Sequence, residues 1–145
     1  MGFMTAQEYI ESLRKLKTVV YLFGEKVENF VDHPMIRPSI NSVAMTYALA
    51  QHPEYREIMT AVSGFTGERV NRFCHIHQSA QDLIDKVKMQ RLVGEKTGSC
   101  FQRCVGMDAF NAIYSTTFEV DQKYGTRYHD RFCEYMRYVQ ERDLT

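Results

Sequence analysis

The sequence predicts a mainly α-helical domain with one small β-hairpin near its amino terminus. Three observations favour this class: apolar residues recur at helical spacing in several segments, cap-like residues precede those segments, and a β-branched, aromatic run stands near the amino terminus. A chain of 145 residues is long enough to form one domain with its own core. Because no internal repeat or linker is evident, we interpret residues 1–145 as a single N-terminal α-helical domain.

The amino-terminal segment combines a capping box with a helical stripe. Thr5 and Glu8 have the spacing at which a hydroxyl and a carboxylate satisfy backbone amides at a helix start. Apolar residues then continue at helical spacing to about residue 17. The run at 19–23 is β-branched and aromatic, and a glycine-containing turn separates it from 27–30. This second pattern predicts a short hairpin.

Four further helical segments follow, separated by residues that interrupt helices. They cover residues 39–51, 79–93, 99–123 and 126–142. Pro53 prevents an easy continuation of the first of these helices, and Gly125 separates the last two. Residues 54–78 contain two glycines that favour a turn between two short extended or irregular pieces.

Composition and charge exclude several classes of partner. The 18 basic and 18 acidic side chains give a formal net charge of zero, which offers no electrostatic reason to expect nucleic acid or an anionic membrane. The longest apolar run, 19–23, is far shorter than the roughly 20 residues that span a bilayer. Residues 1–6 lack the features of a secretory signal. Four scattered cysteines form no disulfide framework, so we expect a cytoplasmic protein with reduced thiols.

Cys100 and Cys104 form the most informative motif. On a continuous helix, cysteines at this spacing share one face, with Cβ atoms roughly 5–6 Å apart. Two such thiolates can bind neighbouring irons of one cluster or a single soft metal, whereas the alternative is a pair of small buried hydrophobes. In helical projection the cysteines share a row with Asn111 and Asp108 and not with the apolar arc through Val105. This arrangement favours the wall of a metal site.

Other candidate residues are less specific. Arg103 stands between the two cysteines, where a guanidinium would stabilise thiolates and offset the charge of an anionic cluster; the alternative is a solvated surface arginine. His75 and His77 follow Cys74 without a second half at zinc-site spacing, so we interpret them as a surface pair. No phosphate-binding loop, dinucleotide fingerprint or nucleophile motif occurs. The residues alone therefore indicate a helical domain with a candidate soft-metal edge.

Five blocks of the sequence carry a resemblance to a known family. They cover residues 4–13, 32–41, 86–91, 99–112 and 121–126, and the fourth contains Ser99-Cys100-Phe101-Gln102-Arg103-Cys104. In these blocks the chain resembles the 4-hydroxybutyryl-CoA dehydratase/vinylacetyl-CoA isomerases. That family belongs to a superfamily with the flavin-dependent 4-hydroxyphenylacetate 3-monooxygenases (hydroxylases). The resemblance implies an acyl-CoA-dehydrogenase-like fold, of which this chain is the N-terminal helical domain.

The resemblance also implies cofactors, partners and an activity. Members of the family are homotetramers that hold FAD and a [4Fe–4S] cluster, and they convert 4-hydroxybutyryl-CoA to crotonyl-CoA and water by a radical mechanism in 4-aminobutyrate degradation. Three cysteines and one histidine bind the cluster. Two of those ligands match Cys100 and Cys104. The other two ligands, the catalytic residues and most of the flavin site are expected beyond residue 145, so the chain alone is expected to lack cofactors and activity.

Two alternatives belong to other classes. The chain could be the N-terminal domain of a 4-hydroxyphenylacetate 3-monooxygenase-like enzyme, which uses flavin without a cluster. It could also be a non-enzymatic helical interaction module in which Cys100 and Cys104 are inert.

Overall fold

The computed structural model describes residues 3–144, which form six α-helices and two separate antiparallel hairpins. The helices are α1 (Ala6–Arg14), α2 (Arg37–Gln51), α3 (Arg56–Met59), α4 (Ala80–Thr97), α5 (Arg103–Tyr124) and α6 (Tyr128–Arg142). The strands are β1 (Val20–Leu22), β2 (Glu25–Val27), β3 (Thr60–Val62) and β4 (Arg69–Asn71), and a 3-10 turn spans Arg72–Cys74. The predicted mainly α class is confirmed. Residues 1 and 2, part of the segment that we interpreted as lacking a signal, lie outside the described residues.

The predicted capping box and first hairpin are both present. Glu8 N donates to Thr5 Oγ1 (3.0 Å), and Thr5 N donates to Glu8 Oε2 (2.7 Å). The helix that follows ends at Arg14, about one turn earlier than predicted. In the hairpin, Val20 lies opposite Val27 in an antiparallel pair. The second strand begins at Glu25, two residues before the predicted 27–30, because the turn is only Phe23 and Gly24.

The ambiguous region at 54–78 contains a second hairpin. Ala61 of β3 lies opposite Val70 of β4, and Gly67 occupies the connecting turn with φ of +72°, a conformation that glycine adopts without steric cost. The prediction of two short extended pieces joined by a turn is therefore confirmed. Helix α4 continues through Gly94 to Thr97, four residues beyond the predicted end, and Gly98 with a φ of +59° in the left-handed region caps it.

Helix α5 begins at Arg103, so the prediction of a helix from residue 99 is wrong. Gln102 has a φ of +60°, which breaks the helical path just before Arg103. Phe101 and Arg103 are both buried, and residues two apart on a helix point to nearly opposite sides. An irregular segment lets both side chains reach the interior. Cys100 consequently lies outside the helix, and the single helical face that we predicted for the two cysteines does not exist.

The orientation of α5 also differs from the projection. Asn111 faces the domain, where its Nδ2 donates to the His75 carbonyl (3.2 Å) and its Oδ1 accepts from His77 N (2.8 Å). Val105, on the apolar arc, is 71% exposed, and Ile113 is also exposed. The polar position is turned inward because backbone groups of the segment after the 3-10 turn need partners. Much of the apolar arc of α5 is left on the outside.

Two apolar clusters fill the interior. The larger consists of Leu49, Ala50, Met59, Phe73, Met89, Val93, Phe101 and Met107, and brings α2, α3, α4 and α5 together. The smaller consists of Ile76, Phe132 and Met136 and holds α6. Within residues 3–144, no helix is long and apolar enough to cross a membrane.

Candidate metal centre

Of the two candidate ligands, Cys100 lies in the junction between α4 and α5, and Cys104 lies in the first turn of α5. Ser99, at the start of this junction, accepts a hydrogen bond from the Ser42 hydroxyl of α2 (3.2 Å), and its carbonyl accepts from Thr97 Oγ1 (2.9 Å). At the other end, Phe101 packs edge-on against Phe73 with ring centroids 5.7 Å apart. The segment 99–102, which we call the cysteine loop, is therefore anchored at two points.

Both cysteines have free thiols but differ in burial. Cys100 is exposed in the cysteine loop, whereas Cys104 is half-buried in the first turn of α5 and packs against the larger apolar cluster. In the described part of the chain, no group of three or more histidine, cysteine or acidic side chains could hold a metal ion. A metal ion or cluster at this place would therefore need ligands in addition to Cys100 and Cys104, and the role of the two cysteines stays a prediction.

Arg103 points into the interior, so the alternative of a solvated surface arginine is wrong. Its side chain is only 2% exposed. Nη1 donates to Thr46 Oγ1 (2.9 Å), and Nη2 lies 3.5 Å from Asp143 Oδ1. The guanidinium carbon lies 4.1 Å from the ring centroid of Tyr47 and 4.8 Å from that of Phe73. A role for Arg103 beside a cluster stays a prediction.

The charge of Arg103 acts on groups distant in sequence. Burial raises the pKa of the Asp143 carboxyl, and the positive charge of Arg103 opposes that shift. Burial also raises the pKa of the Cys74 thiol to about 12, although the positive charge of Arg103 acts to lower it. Cys74 Sγ donates to the Leu144 carbonyl at 3.2 Å. The thiol on which the charge of Arg103 acts is therefore that of Cys74, which is neutral and structural. No spacing pattern in the sequence predicts this contact.

An open cavity of about 340 Å³ adjoins the cysteine loop. It is lined by Tyr9, Ser39, Ile40, Val43, Gln102, Arg103 and Gly106. Gln102, which stands between the two cysteines, thus contributes to the cavity wall. The cavity leaves room for a ligand or for another segment of polypeptide beside the loop.

A second polar cluster lies at the start of α4, and the interpretation of His75 and His77 as a surface pair is wrong. His75 is 3% exposed and His77 is partly buried. Arg72, at the 3-10 turn, donates from Nε to the Ile58 carbonyl (2.7 Å) and from Nη2 to the Thr60 carbonyl (2.8 Å). These contacts tie the turn to α3 and β3. The cluster is a structural element that the spacing of the histidines did not reveal.

Comparison of the sequence with known protein families gives the class of protein to which this helical domain belongs. Residues 5–145 match the family described as 4-hydroxyphenylacetate 3-hydroxylase N terminal, and the chain belongs to that family. Among its relatives is the 4-hydroxybutyryl-CoA dehydratase/vinylacetyl-CoA-Δ-isomerase of Clostridium aminobutyricum. The two sequences are 69% identical over 97% of this chain, which corresponds to 29% of the relative. The resemblance noted in the sequence is thereby confirmed.

Solved structures agree with this assignment. An oxygen-tolerant archaeal 4-hydroxybutyryl-CoA dehydratase from N. maritimus superimposes with a TM-score of 0.91 and 56% identity, over 97% of this chain and 28% of that structure. The FAD complex of the oxygenase component (HpaB) of 4-hydroxyphenylacetate 3-monooxygenase gives a TM-score of 0.66 at 22% identity, over the same shares of the two chains. That second similarity shows a common fold. The chain spans less than a third of the length of these relatives.

Proposed function

We propose that this chain is the N-terminal part of a 4-hydroxybutyryl-CoA dehydratase that also isomerises vinylacetyl-CoA. The 69% identity over nearly the whole chain is the observation that carries the proposal. The similarity to the flavin monooxygenase is much lower, at 22%. In this proposal the remaining polypeptide supplies the catalytic residues, the FAD contacts and the acyl-CoA site, and the enzyme is a cytoplasmic homotetramer.

Cys100 and Cys104 are proposed as two ligands of a [4Fe–4S] cluster. Thiolates are the usual ligands of such clusters, and these two thiols are free, one in the cysteine loop and the other in the first turn of α5. Because the described residues offer no third ligand near them, a further cysteine and a histidine would come from the rest of the enzyme. The exposure of Cys100 supports this division, since a ligand at an interface must be accessible before the interface closes.

In this proposal Cys100 and Cys104 hold and orient the cluster, and we assign them no nucleophilic role. When bound, the cluster would supply a Lewis acid for departure of the 4-hydroxyl group, and FAD would supply one-electron redox chemistry. Cys100 and Cys104 bind as thiolates, so each loses its proton when the cluster is loaded. Because Cys100 lies in the anchored cysteine loop and Cys104 in the first turn of α5, together they would fix one side of the cofactor relative to α5.

Iron analysis of cysteine variants tests this assignment. We expect the complete polypeptide, expressed without oxygen, to contain iron, sulfide and FAD and to form crotonyl-CoA from 4-hydroxybutyryl-CoA. Cys100→Ser and Cys104→Ser should each lose most of the iron. Cys133→Ser, which changes a half-buried cysteine of α6, should retain it. Unchanged iron in both ligand variants would refute the cluster assignment, and flavin without iron in the parent would favour a monooxygenase.

The isolated 145-residue chain provides a second test. With two ligands it should purify without a stable cluster and without activity. Stoichiometric iron and sulfide in this chain, or turnover by it, would show that the rest of the polypeptide is not required.

A further inference from the structure

Arg103 carries a buried charge between two residues that are proposed to bind a cofactor. Removing a guanidinium from water costs several kcal/mol, so it is retained in an interior only with close partners. Arg103 has a hydroxyl of α2 as an acceptor, a carboxylate beyond α6 and two aromatic faces. Such partners confine a planar, forked side chain to one position and orientation.

The backbone transmits this confinement to the cysteine loop. Arg103 is the first residue of α5, and its backbone amide donates to the Phe101 carbonyl at 2.7 Å. Gln102 bridges these two buried residues with a left-handed φ of +60°. Fixing Arg103 therefore fixes where the loop carrying Cys100 joins the helix carrying Cys104.

The partners of Arg103 come from separate parts of the fold. Thr46 and Tyr47 belong to α2, Phe73 to the 3-10 turn, and Asp143 caps α6. Asp143 Oδ2 also accepts from the backbone amide of Met4, just before α1 (3.1 Å). Three segments therefore meet at the guanidinium, and a fourth, just before α1, is joined to it through Asp143.

We propose that Arg103 is a positioning residue that sets the relative placement of the Cys100 and Cys104 thiolates by anchoring the cysteine loop to this interior. This inference rests on the proposed function. It replaces the idea that the guanidinium acts directly on the thiolates, because the side chain is turned towards Asp143.

Cluster retention in the complete enzyme tests the proposal. Arg103→Lys keeps the charge but loses the fork, and Arg103→Met removes both. Each should load iron yet release it to a chelator faster than the parent, by about 10–100-fold, which is the factor by which removing groups that orient metal ligands lowers metal affinity. The visible circular dichroism of the cluster should change as well, because its ligands are held differently. Thr46→Val, which removes one acceptor, should cause a smaller change in the same direction.

Arg72→Lys is the matched control. Arg72 is also a buried arginine, but its hydrogen bonds go to carbonyls of α3 and β3 and none goes to a residue of the cysteine loop. The Arg72→Lys variant should be less stable than the parent, but its rate of iron release and the dichroism of its cluster should keep the parent values. If Arg72→Lys accelerates release as much as Arg103→Lys does, general destabilisation explains the effect and the proposal is overturned.

The remaining outcomes separate this proposal from the function on which it rests. Parent-like release and dichroism in the Arg103 variants, alongside iron loss in Cys100→Ser, would overturn the positioning role alone. If Arg103→Met does not fold, Arg103→Lys and Thr46→Val provide the test. Parent-like iron release and dichroism in both variants would then overturn the positioning role of Arg103. Unchanged iron in Cys100→Ser and Cys104→Ser would instead remove the proposed function together with this inference.

Discussion

His75 Nε2 lies 3.2 Å from Asp82 Oδ1, a contact that joins the segment after the 3-10 turn to the first turn of α4. Burial lowers the pKa of His75, and the negative charge of Asp82 opposes the shift without cancelling it. Burial likewise lowers the pKa of His77, with a further contribution from Lys86. Both rings therefore resist protonation in the folded protein.

Stability of the chain should fall as the pH drops below about 6.5, the ordinary pKa of histidine. Because the pKa values of His75 and His77 are depressed by folding, the unfolded chain binds protons there more readily than the folded chain. The stabilisation is complete above about pH 6.5 and is lost towards the folded pKa values. Urea unfolding at several pH values measures this slope, and the double variant His75→Gln/His77→Gln should flatten it.

His52→Gln is the control for this pH dependence. His52 is exposed, so its replacement should leave the slope at the parent value. A slope that persists in the double variant would show that other groups, such as Asp82 near the two rings, cause the dependence.

The four cysteines should differ in their reactivity towards iodoacetamide in the folded chain. Alkylation needs an accessible thiolate, and Cys100 is exposed while Cys74 is fully buried with a pKa of about 12. Peptide mass spectrometry should find Cys100 modified first and Cys74 modified only after unfolding. Rapid native alkylation of Cys74 would contradict the buried contact between its thiol and the Leu144 carbonyl.

Local features of the fold could be predicted because their causes are local. The capping box at Thr5 and Glu8 and the glycine-containing turn of the first hairpin depend on neighbours within a few residues. The start of α5 could not be predicted in this way. It depends on Arg103 meeting Thr46 and Asp143, which are 57 and 40 residues away, and no periodicity reports such contacts.

The candidate site shows the same division between local and distant causes. The resemblance to the family singled out Cys100 and Cys104, which lie in the cysteine loop and in the first turn of α5, and their role as ligands stays a prediction. The assumption of a continuous helix through them failed because burial of Phe101 and Arg103 on the same side overrides the helical preference of the segment. The inward turn of Asn111 likewise follows from backbone groups near His75 and His77 that are distant in sequence.

The ion pair between Arg14 and Asp32 should be visible in the titration of the carboxyl group. Two hydrogen bonds from the guanidinium, 2.6 and 2.7 Å long, and one from Asn29 hold the pKa of Asp32 at about 2. Arg14→Gln should raise that pKa towards the ordinary value of about 3.9, as measured by carboxyl NMR. Lys26→Gln, which breaks a separate surface pair with Glu28, should not change it. An unchanged pKa in Arg14→Gln would mean that Asn29 alone is sufficient.

Truncating a side chain on the buried face of α5 should lower the stability of the 145-residue chain far more than truncating one on the exposed face. Met107 is fully buried in the larger apolar cluster, so Met107→Ala should lower the free energy of unfolding by about 2–5 kcal/mol through lost contacts and a residual cavity. Ile113 is exposed, and Ile113→Ala should change it by less than about 0.5 kcal/mol because alanine is also a better helix former. Urea denaturation measures both. In the complete enzyme, a cost for Ile113→Ala well above that seen in the chain alone would show that further polypeptide covers the apolar arc. Equal effects of Ile113→Ala in both contexts would show that this position of α5 remains open to solvent.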